Sequence, residues 1–263
     1  MRKLWKRADR GISAVIALVV SIAVWEIGCR LFNPPEFVLP APSAIAAELL
    51  RSPGYFLKET GYTLATTTAG FVLAVVLGVA MAVGIVYSTW IERSLYPFLV
   101  ALNSVPKVAL APVFVIWMGT GTKPKIAIAL TIAVFAIVID AVLGLRSADP
   151  ELLALARTAR ASKRQILIKI QLPSALPSIF AGMKVAISFS LVGAIVGEFV
   201  AGDTGLGHAI LLAEGMFQTS RMFVGVVILG VLGTVLFYIV DALERLCLPW
   251  HVSQRGTGLA RQA

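Results

Sequence analysis

The chain has 263 residues, of which 58% are hydrophobic and 14% charged, and its mean hydropathy is +0.88. A soluble domain carries about 25% charged residues, so this chain lacks the polar surface of an ordinary soluble protein, and it holds too much apolar material for disorder. Its long apolar runs do not alternate, which points to a polytopic all-α membrane protein and away from a β-barrel. A net charge of +9 then belongs with membrane topology rather than with nucleic acid.

The N-terminus imitates a signal peptide. Arg2, Lys3, Lys6, Arg7 and Arg10 precede an uncharged run over 11–25. A cleaved signal would close on small residues after a short apolar core. Here the run continues through Trp25, Glu26 and Cys29, and Glu26 stands where a lipoprotein site needs an apolar residue. The reading is an uncleaved first membrane helix.

About 20 apolar residues cross the hydrocarbon core. Six segments qualify: 11–32, 62–87, 95–118, 125–145, 176–200 and 222–244. The third is interrupted by Pro106, Lys107 and Pro112 and is expected to be broken or kinked. With a cytoplasmic N-terminus, fifteen Lys and Arg fall inside and six outside, Lys123 and Lys125 among the latter. Both termini are therefore expected inside. Cys29, Cys247, His208 and His251 are isolated and form no disulfide framework or metal spacing.

The cytoplasmic stretch 146–175 is the long connection. Asp149 suits a helix cap, Pro150 its first turn and Glu151 its dipole. Leu152, Leu155, Ala156 and Ala159 recur at helical spacing. Ser162 and Gln165 have capping-box spacing and open a second helix over 163–172, which Pro173 is expected to stop. Such a pair of amphipathic helices fits a basic connector on anionic headgroups, or a docking element whose apolar face enters a groove on a partner. A DNA reader tethered at both ends to a bilayer is implausible.

Residues 151–177, ELLALARTARASKRQILIKIQLPSALP, resemble the signature loop of binding-protein-dependent ABC transporter permeases. That family carries Glu-Ala-Ala, three residues, Gly, nine residues, then Ile-x-Leu-Pro. Aligned on Ile170, Leu172 and Pro173, Ala154 stands at the family's Glu, Leu155 at its first Ala and Arg160 at its Gly. An Arg there predicts either a continued helix or a strained turn, and offers a guanidinium to a carboxylate. Elsewhere, Trp25-Glu26, Leu39-Pro40-Ala41-Pro42-Ser43, the run Asn103 to Pro112 with Trp117-Met118-Gly119, Gly197-Glu198-Phe199 and Gly205-Leu206-Gly207 are similar to the nitrate/sulfonate/taurine-type subgroup.

The resemblance implies a type I ABC importer permease fold. A pair of permeases, most simply a homodimer, would sit in a bacterial inner membrane over two copies of an ABC ATPase subunit, and a solute-binding protein would deliver a small sulfonate-like or nitrate-like anion. Glu151, Leu152, Leu155, Ala156, Arg157, Arg160, Ala161 and Ser162 would meet the ATPase. Residues 1–58 would hold the tail, first span and outer loop, 59–246 the transport core, and 247–263 a cytoplasmic tail. The chain has no G-x-x-x-x-G-K-[ST] phosphate loop, so the hydrolysing machinery is expected in another chain. No catalytic constellation and no cofactor are expected, and the partners include lipid but no nucleic acid.

Charged or polar groups within spans are candidates for a path. Lys107, beside the Pro106 break, either attracts an anion or snorkels. Asn103 lies one turn before it. Lys184 is expected to pair with Asp140, and Glu198 to face the outer mouth. Gly70, Ala74, Gly78 and Ala82 form a small-residue stripe on the second span, and Gly193 with Gly197 a GxxxG pair on the fifth. These serve either packing within one subunit or a sliding or dimer contact. An ion-coupled secondary transporter is the alternative class, but it would call for buried carboxylates and an internal repeat.

Overall fold

The computed structural model describes residues 2–249, and their side chains other than those of 2–12, 14, 15, 95, 96, 99, 100 and 102–104. Eleven α-helices follow in chain order among these residues: α1 Arg2–Phe32, α2 Pro42–Arg51, α3 Pro53–Tyr87, α4 Thr89–Ser104, α5 Ala111–Met118, α6 Thr122–Arg146, α7 Pro150–Thr158, α8 Lys163–Ile166, α9 Leu172–Ala201, α10 Leu206–Gly215 and α11 Thr219–Cys247. A 3-10 turn, Lys107–Leu110, lies between α4 and α5, and a π segment, Leu167–Gln171, joins α8 to α9.

Among the described residues, four stretches are long and apolar enough to cross a membrane: α3, α6, the continuous helix Lys163–Ala201, and α11. The expected first span lies within α1. The expected third span is broken: α4 stops at Ser104, Pro106 opens the 3-10 turn, and Pro112 sits in the first turn of α5. Proline has no N–H for a helix interior but suits a first turn.

The core is a trio. α6 packs along both α3 and α9. Small residues permit the approach: a Cβ added at Gly70 would lie 2.5 Å from the Cβ of Ala129, and one at Gly78 would lie 2.7 Å from the Cβ of Ile137. From α9, a Cβ at Gly193 would meet the Cα of Ala129 at 2.6 Å. Ala74 and Ala82 are fully buried in the same packing. The α3 stripe and the α9 pair thus both face α6 of the same chain. α1 is tied to α2 by the Glu26 carboxylate, which accepts from Ser43 N and Ser43 Oγ at the start of α2.

Pro173 does not stop the helix before it, contrary to expectation. The chain runs helically from Lys163 to Ala201 because the turn before the proline widens: Leu172 N–H donates to Leu167 O, five residues back. A π turn of this kind makes room where a proline ring would press on the preceding turn.

Candidate functional site

Two sets of polar groups stand at opposite ends of the bundle. At the first end, the α7–α8 elbow forms as its residues predict. Asp149 caps α7 by accepting from Glu151 N at 2.8 Å. Ser162 and Gln165 complete a reciprocal capping box, with Ser162 N donating to Gln165 Oε1 and Gln165 N to Ser162 Oγ.

Between the helices the chain turns through a Schellman motif. Ala161 N–H donates to Ala156 O and Arg160 N–H to Arg157 O. Arg160 takes the left-handed position, with φ +56°. This is the strained turn rather than the continued helix. Leu152 and Leu155 are 45% and 66% exposed on α7, beside an exposed Glu151. Leu153 turns the other way and lines a cleft of about 380 Å³ with Val86, Tyr87, Arg157, Lys163 and Gln171. Tyr87 O–H donates to Gln171 Oε1, and Gln171 Nε2 donates to Leu145 O, so α3 and α6 are both anchored to the π segment below the elbow.

At the other end lies a buried cluster that the sequence pattern did not single out as a unit. Glu198 of α9 is 0% exposed and Glu59 of α3 is 7% exposed. Thr63 Oγ1 donates to Glu198 Oε1 at 2.8 Å and accepts from Leu206 N at 2.8 Å. Gly207 N donates to Glu198 Oε2 at 2.8 Å, and Gly205 N to Glu59 Oε2 at 2.6 Å. Three of the amides at the start of α10, which have no partners within the helix, those of Gly205, Leu206 and Gly207, are taken up by side chains of α3 and α9.

Gly205 has φ +106°, and a Cβ there would stand 2.2 Å from the Glu198 carboxyl. Lys125, expected as an outer-loop charge, is instead 1% exposed. Its ammonium donates to Asp203 Oδ1, Thr204 O and Thr204 Oγ1 at 3.1, 2.9 and 3.1 Å. That bond holds the Asp203 carboxyl below the usual carboxylate range. Gly197 admits this arrangement, since a Cβ there would sit 2.7 Å from Lys125 Cα.

The remaining path candidates do not converge. Lys107 Nζ lies 5.2 Å above the Phe135 ring of α6. Lys184 does not pair with Asp140; it meets Asp241 and Glu244 of α11, each at 2.5 Å. The reason is the neighbour it faces: Lys184 projects toward α11, while Asp140 sits against Gly182. Asp241 is shared between Lys184 and Arg245. Glu198 does not open onto a mouth but is sealed under α10. The Asn103 side chain lies outside the described residues, as do His251 and the tail beyond Pro249. Among the described residues, no group of three or more His, Cys, Asp or Glu is placed to hold a metal ion.

Residues 74–247 match the family described as the binding-protein-dependent transport system inner membrane component. The chain is 31% identical over 250 residues to the formylaminopyrimidine transport permease protein ThiX of Halalkalibacterium halodurans, covering 95% of this chain and 100% of that one. It is 31% identical over 240 residues to the putative aliphatic sulfonates transport permease protein SsuC of Bacillus subtilis, covering 90% and 87%. In fold it is similar to a chain of the inward-facing MetNI methionine ABC transporter, with a TM-score of 0.67 over 74% of this chain and 97% of that one, at 18% identity. All-helical in its described residues and matched over most of its length by such permeases, the chain belongs to the binding-protein-dependent transport system inner membrane components, the permeases of ABC importers.

Proposed function

We propose that this permease works as one of two identical copies above two ATPase subunits, and that α7 is the element through which ATP-driven movement enters the membrane. The observation that carries this is the uncovered apolar face of α7. Leu152 and Leu155 project from a short helix that is capped at its start, closed by a Schellman turn, and braced through Gln171 to two spans. A capped helix with an outward leucine pair fits a groove on a partner. Glu151, Ala156, Arg157, Arg160, Ala161 and Ser162 surround that pair and complete the contact. In this arrangement the α7 end is cytoplasmic, both termini are inside, and the α10 end faces the binding protein. The core over 59–246 carries transport, between the segments 1–58 and 247–263.

The solute proposed is a small organic or inorganic anion, supported by the relative named for aliphatic sulfonates and by a lysine beside the helix break. The relative named for formylaminopyrimidine makes a pyrimidine the first competing solute to assay.

The test is Leu152→Asp or Leu155→Asp. Either places a charge in the proposed groove and should reduce uptake by at least tenfold, with membrane insertion unchanged and a co-purifying P-loop ATPase lost. Normal uptake by both variants would sink the docking role.

A further inference from the structure

The Glu198–Glu59 cluster has no part in docking, yet both carboxylates are buried and bonded to backbone amides at the start of α10. We propose that Glu198 and Glu59 are positioning residues of the transport cycle. They weld the 202–205 loop and α10 to the ends of α3, α6 and α9, so that this end of the bundle travels as one body and access changes at the broken third span instead.

Three observations support this. The two carboxylates are buried and belong to different spans, and each receives a backbone amide from the start of α10, with Thr63 bridging to a third. Lifting α10 would break these bonds together and strand three backbone amides and both carboxylates without their partners, which is unfavourable. On the loop itself, Lys125 uses all three ammonium donors on Asp203 and Thr204, which ties α6 into the same unit. The packing agrees: Leu206, Ala209 and Ala213 of α10 are 0, 4 and 2% exposed, whereas Ile116 and Trp117 of α5 are 80 and 73% exposed. α10 is packed between α11, α9 and α3, whereas α5 leaves these side chains uncovered in the single chain.

Glu198 thereby acquires a role different from a path charge. A path charge acts on the solute and needs its negative sign. A positioning carboxylate needs only acceptor oxygens at the amide of Gly207 and the hydroxyl of Thr63. The two roles separate on Glu198→Gln, which keeps an acceptor and loses the charge.

Because the proposal concerns the transport cycle, it rests on the importer reading. The experiment is amide hydrogen exchange on the native permease–ATPase complex in lipid nanodiscs, with and without a non-hydrolysable ATP analogue, alongside uptake in cells. The peptide covering 203–210 should exchange within about twofold of the same rate in both states, while the peptide covering 105–112 changes at least tenfold.

Thr63→Val should speed exchange over 203–210 by at least tenfold and lower uptake, and Thr63→Ser should restore both. Glu198→Gln should keep most of the protection and uptake, and Glu198→Ala should lose both. If Glu198→Ala fails to fold, the Thr63 pair gives the same information. Protection over 203–210 that rises and falls with nucleotide would overturn the proposal, because α10 would then be a moving element. So would a Glu198→Gln protein with α10 protected but uptake lost, because the charge would then act on the solute. If neither peptide responds to nucleotide, it is the importer reading that fails, and the cycle role falls with it.

Discussion

A left-handed backbone carrying a Cβ costs about 1 kcal/mol, and Arg160 bears that cost at φ +56° in a turn whose hydrogen bonds are those of a glycine-closed helix. The strain resides in the Cβ, not in the charge. Arg160→Gly should therefore raise the melting temperature of the purified protein by about 2–4 °C, and Arg160→Ala should leave it where it is. A rise with Ala as well would place the destabilisation in the guanidinium. A second residue-scale consequence concerns Asp203, which lies outside the spans and whose carboxyl is held low by the Lys125 ammonium. The attraction is fully present above the ordinary aspartate value of roughly 3.9 and is lost as pH falls through the lowered folded value. The Asp203 side chain is 70% exposed, so solvent screens much of the effect. The melting temperature of Asp203→Asn should lie below that of the wild type at neutral pH, and the gap should close in acid. A gap that persists unchanged at pH 3 would show that the pair contributes nothing.

Helices were legible in the sequence wherever one rule decided them. The spans of α3, α6 and α11 follow from uninterrupted apolar length, and the α7 cap and the Ser162 box from two or three neighbouring side chains. The helix ends were less legible: α3 begins at Pro53 rather than at 62, because its first turns pack on α2 and α11 through residues such as Phe56. Pro173 misled for a related reason. A proline's local preference is to end a helix, but a widened turn and the packing of the following 30 residues override it. The Lys184 partner depended on which span is its neighbour, and nothing local encodes that. The α10 cluster was illegible as a unit because Glu59, Thr63, Lys125, Glu198 and Gly205 lie on four segments. Read one at a time, Lys125 is an outer-loop charge, Glu198 a path candidate and Gly205 part of a Gly-Leu-Gly turn, while nothing marks Glu59 or Thr63 as their partners. Only the close approach of α6 to α9 at Gly197 brings Lys125 inward, and only then does Glu198 meet the amides of α10.

For the molecule as a whole, the third span raises a problem that one chain does not solve. α5 has eight residues and covers about 12 Å at 1.5 Å per residue, and the chain on either side of Pro106 is not α-helical. Irregular backbone is tolerated at membrane depth only where protein covers it or where it lines a water-filled cavity. Val105, Val108, Ile116 and Trp117 of this region are nonetheless 39, 54, 80 and 73% exposed in the single chain. Lipid would suit those side chains but not the broken backbone between them. In the proposed dimer a second copy would cover the break on one side and leave a path on the other, which would put the copy-to-copy contact and the moving element on the same segment. A photo-reactive benzophenone side chain installed at Ile116 should then capture a second permease on illumination of native membranes, giving a product of twice the 28.0 kDa chain mass. Labelling of lipid alone would put this face against the bilayer and require the break to be covered by something other than a second copy.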